Sequence, residues 1–172
     1  YVTLAFHVPA QSDPVYAALE GAAELLFVGD NARLYKRLVT QERVAADVEG
    51  YLTPFAEPGL CEITVALRKG VDTHSAIDLV REELERVAVA LTEAAVAKAR
   101  NGLELAFFDA LRDADGLAEA LGHAEVCEND YRHAFEMPAR IELLSMDSIA
   151  DACRACFRPE NCTIGIVRPD GQ

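Results

Sequence analysis

The sequence predicts an α+β fold, a mostly antiparallel sheet of about four strands with helices packed on one face. Apolar residues alternate along residues 1–8 and again along 61–67, as half-buried strands require. They step instead by three and four from Ile77 to Leu91, the spacing of an amphipathic helix. The segments follow the order β-α-α-β-β-α-α-α-α-β with no repeat, linker or low-complexity stretch, so residues 1–172 read as one domain.

Val2, Leu4, Phe6 and Val8 face one side of the first strand, and Thr3, Ala5 and His7 the other. Pro9 ends it. Asp13 then caps a helix whose first position is Pro14, with Val15, Leu19, Ala22 and Leu26 as its apolar face and Gly29 as its stop. A short helix over 32–40, carrying Leu34 and Leu38, leads through a polar turn into an alternating strand of Val44, Ala46, Val48, Gly50 and Leu52. Residues 54–59 are rich in turn formers. Cys61, Ile63, Val65 and Leu67 then alternate with Glu62, Thr64, Ala66 and Arg68, so two strands joined by a short loop predict an antiparallel pair.

Gly70 and Thr73 mark the next break, before the helix of Ile77, Val80, Leu84, Val87 and Leu91. Thr92 caps another helix, with Val96, Ala99, Leu103, Ala106 and Ala110 inward, continuing straight or as a kinked pair to about Gly122. Residues 130–144 are helical in composition, and Pro138 should bend or divide them. Ser145 and Asp147 can cap a final helix bearing Ile149, Cys153 and Phe157. Pro159 ends it, and Cys162, Ile164 and Ile166 form a last strand before Pro169.

At 172 residues and 51% hydrophobic, the chain can bury a core of its own. A net charge of −13 with no local basic cluster argues against nucleic acid, since neutralising phosphates needs a basic face. The acidity reads as a solubility feature. No apolar run approaches the roughly 20 residues that span a bilayer; the smoothest, 87–96, is broken by Thr92 and Glu93. Tyr1 opens directly inside a strand pattern without an initiator Met, which reads as a piece of a longer polypeptide.

Five cysteines at these spacings make no small disulfide scaffold; they read as reduced, mostly buried thiols that react slowly until the protein unfolds. This leans toward a reducing compartment but leaves a bacterial cytoplasm and a periplasm both open. Cys153 and Cys156 lie three apart on a helix and Cys162 alternates inward on a strand. Buried small hydrophobes account for them better than a zinc site completed by His123 or Cys127, because only one Cys-x-x-Cys is present. His123-Ala124-Glu125 echoes half of the zinc-deaminase signature, but Ala152, not proline, precedes Cys153. Glu82, Glu83 and Glu85 with Arg81 and Arg86 read as the solvated side of their helix.

Three stretches, in order, carry a resemblance. Residues 29–48 run from a short helix through a polar turn into a strand. Residues 91–99 give a threonine-capped helix with an alanine-lysine pair, Ala97-Lys98. Residues 145–149 and 157–163 give a closing helix, a proline stop and a final strand. Together they resemble the second domain of a half-molecule in the M16 (insulinase/pitrilysin/mitochondrial-processing-peptidase-like) zinc metallopeptidases, whose fold is of the M16/LuxS-like metallohydrolase type.

The resemblance implies a division of labour in which this chain carries no chemistry. One half-molecule of the family binds zinc through His-x-x-Glu-His and a distant Glu. The second domain of the other half supplies an Arg, and seven residues later a Tyr, that hold substrate. His7, His74, His123 and His133 all lie outside that zinc motif, and the Arg and Tyr positions are Val39 and Ala46; Arg37, Arg43, Tyr35 and Tyr51 are near but off position or spacing.

The expectation is therefore a non-catalytic C-terminal domain with no catalytic, substrate-binding or metal-ligating residue of its own. It would form chamber wall and partner interface, with zinc on a preceding domain of the same polypeptide. The implied partners are that domain, a second half-molecule in a homo- or heterodimer, and a peptide substrate that can add to a sheet edge such as 44–52. One alternative is a catalytically dead scaffold subunit, like the core subunits of respiratory complexes. Another is an unrelated α+β binding module using its cysteines for metal or redox sensing.

Overall fold

Val2, Leu4, Phe6 and Val8 are the residues that bury β1 (Val2–Val8) in a computed structural model of the chain, which describes residues 1–168. Among the described residues β1 joins β2 (Ala45–Leu52), β3 (Gly59–Leu67) and β4 (Cys162–Ile166) in the order β2-β3-β1-β4, antiparallel throughout. Leu4 stands opposite Ile63 on one side and Ile164 on the other, so the apolar rows of the inner strands align. Thr3 and Thr64 share the opposite face, their hydroxyls 3.0 Å apart. Pro169, expected to follow the final strand, lies outside the described residues.

Helices cover the apolar face. They are α1 (Pro14–Leu26), α2 (Arg33–Tyr35) running on into a π-helix (Lys36–Gln41), α3 (Thr73–Val89), α4 (Glu93–Ala110), α5 (Ala114–Glu128), α6 (Met137–Glu142) and α7 (Met146–Cys156). α1 packs on α4 and α7, and α7 on α3 and β1, where Phe157 meets Phe6 edge to face at 5.2 Å. Side chains fix the starts of the long helices. Asp13 accepts from the Val15 amide at 2.8 Å, Asp72 from Ser75 at 2.9 Å and Thr92 from Ala95 at 3.2 Å, while Ser145 and Ser148 close a reciprocal capping box.

Pro138 divides rather than bends. A 3₁₀ turn (Tyr131–Phe135) precedes it, and Pro138 sits in the first turn of α6, where its missing N–H leaves no gap. Gly29 takes φ +75°, the left-handed turn that redirects the chain after α1. Gly50 in β2 lies under the Phe27 ring, which a Cβ there would strike.

Four placements differ from the sequence pattern. Val15 is exposed because α1 turns Tyr16 and Leu19 inward instead. Leu91 lies in the connection before α4 and still packs on the core. Ala106 and Ala110 are exposed, because the inward stripe of α4, which packs on α1 and α6, ends at Leu103; Leu105 and Phe108 stand in solvent beyond it. The alternation in β2 breaks at Ala46. Ala45 pairs with Leu67 and Asp47 with Ala66, so Ala46 is the extra residue of a β-bulge and faces outward.

Leu38 is fully buried, so Leu38→Ala should cost about 2–5 kcal/mol through lost burial and a residual cavity. Leu105→Ala, at a side chain 71% exposed, should stay within about 0.5 kcal/mol of the parent. Urea unfolding followed by circular dichroism measures both.

Candidate functional site

Residues 33–47 combine two backbone irregularities, a π-helical turn and a β-bulge, both of which recur where proteins position functional side chains. The π turn widens because the Glu42 amide donates to the Arg37 carbonyl and the Val44 amide to the Leu38 carbonyl, each at 3.0 Å. Leu34 and Leu38 anchor it by pointing into the core. Arg43, with φ 56°, makes the sharp exit, and Arg68 then holds the start of β2 by donating from Nε to the Ala45 carbonyl at 2.9 Å.

Val39 sits in the π turn, half-buried against the core; Ala46 is the exposed bulge residue. At these positions the segment offers an isopropyl and a methyl group, neither of which donates a hydrogen bond. Arg37 is occupied elsewhere, its guanidinium 2.9 Å from Glu42 and 3.6 Å from Glu82. Tyr51 is exposed farther along β2, which is an edge strand.

Glu83 is buried, not solvated as its helix pattern predicts. Its Oε1 accepts from Arg33 Nε at 2.6 Å, and its Oε2 lies 3.7 Å from Arg86, so one carboxylate ties α2 to α3. The spacing held the clue: Glu83 falls three residues after Val80 and four before Val87, inside the buried stripe.

A second polar cluster escaped sequence reasoning. Arg140 of α6 donates to Glu128 at 2.6 Å and to Glu136 at 3.4 Å, and His133 Nδ1 stands 3.5 Å from Glu128. Glu20 of α1 borders a cleft of about 350 Å³ that Tyr16, Arg140 and Leu144 also line. Burial pushes the Glu20 carboxyl up to about 7, against the pull of Arg140 and with a smaller push from Glu128. Burial also raises the Tyr16 phenol, with Glu20 adding to it. Tyr16 and Glu20 are four residues apart on one helical face, the pattern that could have revealed them.

The four histidines stay apart. His7 is exposed on β1, His74 is exposed at the start of α3, His123 contacts Gln11 from α5, and His133 lies in the 3₁₀ turn. Among the described residues, no three His, Cys, Asp or Glu side chains are grouped to hold a metal ion, so this donor set does not fit zinc. Cys61, Cys153 and Cys156 are buried thiols, and burial pushes Cys61 and Cys153 up to about 12.

A family model described as the peptidase M16 inactive domain matches residues 1–103. A Streptomyces coelicolor protein named as an uncharacterized zinc protease is 26% identical over 143 residues, 81% of this chain. The chain spans only 31% of that relative's length. The structure of a candidate zinc protease from Bordetella pertussis Tohama I is similar with a TM-score of 0.86 and 25% identity, covering 98% of this chain and 93% of that one. The inactive peptidase domain of a candidate zinc protease from Bordetella parapertussis gives a TM-score of 0.85 and 25% identity, covering 95% and 89% respectively.

Glu20 makes stability pH-dependent in a definite direction. Its folded pKa lies above the ordinary glutamate value of 4.5, so the folded state holds the proton more tightly. Its contribution to stability is complete below about pH 4.5 and is lost as pH rises through about 7. Glu20→Gln should therefore flatten the fall in melting temperature across that window and leave the variant the more stable protein at pH 8. Thermal melts from pH 4 to 8 check this.

Proposed function

The chain belongs to the peptidase M16 inactive domain family, and from that premise we propose that it is the non-catalytic C-terminal domain of an M16-type zinc-dependent peptidase. In this reading residues 1–172 are a single domain of a longer chain, and zinc is held on a separate preceding domain of that chain. The domain forms part of the wall of a substrate chamber and meets a second half-molecule.

The observation that carries the reading is the segment 33–47. It keeps a π turn and a bulge but presents Val39 and Ala46, which can neither clamp a peptide carbonyl nor steady a developing oxyanion. With no donors there and a histidine set unfit for zinc, the remaining roles are architectural. Helices on one face of the sheet leave the other, with Thr3, Ala5, His7 and Thr64, open enough to line a cavity. The β2 edge offers backbone groups to an extended peptide, and confinement raises the effective concentration of peptide near the zinc-bearing domain. The zinc-protease name of the Streptomyces coelicolor relative supports a peptidase as the parent.

The isolated chain should therefore be inert. Elemental analysis after equilibration with zinc under reducing conditions is expected to find well under one ion per chain. A quenched fluorescent peptide should show no zinc-dependent cleavage, either by the chain or by a Val39→Arg/Ala46→Tyr variant. Cleavage by either, or near-stoichiometric zinc, would overturn the reading.

A further inference from the structure

We propose that Cys127 is a modification site for low-molecular-weight disulfides, with His123 as its base and Gln11 as the group that orients that base. The inference is independent of the chamber reading.

Cys127 and His123 lie one turn apart on α5, with Sγ 3.8 Å from Nδ1. The other ring nitrogen, Nε2, is 2.5 Å from Gln11 Oε1 in the β1–α1 connection. An amide oxygen can only accept, so Nε2 carries the proton in the neutral ring and Nδ1 presents its lone pair to the thiol. A backbone bond anchors the residue that carries this side chain, since the Gln11 backbone N–H donates to the Phe55 carbonyl at 2.9 Å. The three-part arrangement of nucleophile, base and orienter is the one that activates a thiol.

The other thiols lack it. Cys61, Cys153 and Cys156 are buried, and Cys162, half-buried on β4, has the Thr163 carbonyl as its neighbour at 3.8 Å and no imidazole. Burial raises all four above an ordinary thiol, which lowers their thiolate fraction at neutral pH. Cys127 is half-buried, in the same range as Cys162, so what sets it apart is the imidazole beside it. On this proposal Cys127 departs from the slow, denaturation-dependent reactivity expected of the cysteines.

The step is a thiol–disulfide exchange. The Cys127 proton passes to His123 Nδ1 as the sulfur attacks one sulfur of the incoming disulfide. A protein–reagent S–S bond forms, the reagent's S–S bond breaks, and the departing thiolate takes the proton from the imidazolium. No net oxidant is needed beyond the disulfide itself. The Cys127 S–H also reaches the Pro54 carbonyl, which accepts from it at 3.7 Å, so the thiol turns from that carbonyl to Nδ1 as it reacts, and an adduct displaces the β2–β3 connection from α5, next to the edge strand.

The test incubates the folded chain with oxidised glutathione, quenches with acid and locates adducts by peptide mass mapping. One adduct at Cys127 is expected, absent in Cys127→Ser. His123→Gln should slow its formation at pH 7 by at least about tenfold, the low side of what a positioned base contributes. It should also shift the pH–rate profile toward that of an unassisted thiol, while the denatured variant still titrates five thiols. Gln11→Ala, which keeps the ring but frees its tautomer, should slow the reaction by a smaller factor. A first adduct at Cys162, no adduct on the folded chain, or a rate unchanged in both variants would overturn the proposal.

Discussion

One apolar face, made by Val2, Leu4, Phe6 and Val8 of β1 with Cys61, Ile63 and Val65 of β3, decides where everything else can go. Slipping either strand by one residue would turn that row to solvent and bring Thr3, Ala5 and Thr64 inward. Register is therefore fixed by burial, and the helices follow. α1 and α7 supply Leu19, Ala22, Leu26, Ile149 and Cys153 to the same core, and α3 adds Val80, Leu84 and Val87. The edge strands have less to bury. Val48 is the fully inward residue at the centre of β2, and β4 contributes the half-buried Cys162 and Ile164.

That asymmetry explains how residues 33–47 can stay irregular. Leu34 and Leu38 are driven into the core, and the Arg33–Glu83 pair pins the segment to α3 from outside. Between those anchors the backbone is free to widen into a π turn and then bulge. The bulge turns Ala46 outward, so its side chain can be exchanged while the fold stands, whereas Val39 is half-buried against the core. The segment's shape is set by its neighbours, and its chemistry by two positions of which only Ala46 stands clear of them.

Most of the architecture was legible in the sequence because burial has a period. Strand alternation located β1 and β3, and Asp13-Pro14, Thr92 and Ser145 announced helix starts that side-chain bonds then made. The bulge at Ala46 was not legible, because an inserted residue breaks the period without leaving a compositional trace. Glu83 and Glu20 were misjudged or overlooked for another reason. A charged residue on a buried stripe reads as surface until its partner from a distant part of the chain, Arg33 or Arg140, is known. The pairing of His123 with Gln11 joins residues 112 positions apart, and no local pattern reports it.

The exposed C-terminal end of α4 has a consequence for cooperativity. Beyond Leu103, Leu105 and Phe108 on α4 contribute little to the core, so the outer turns of this helical arm are held chiefly by their own backbone bonds. Amides there can open to hydrogen exchange at a fraction of the global unfolding free energy, while those of β1 and β3 exchange only when the sheet itself comes apart. The molecule thus has two tiers of stability along a single chain, a slow sheet and a faster arm. The arm can fray and re-form without the core registering the event.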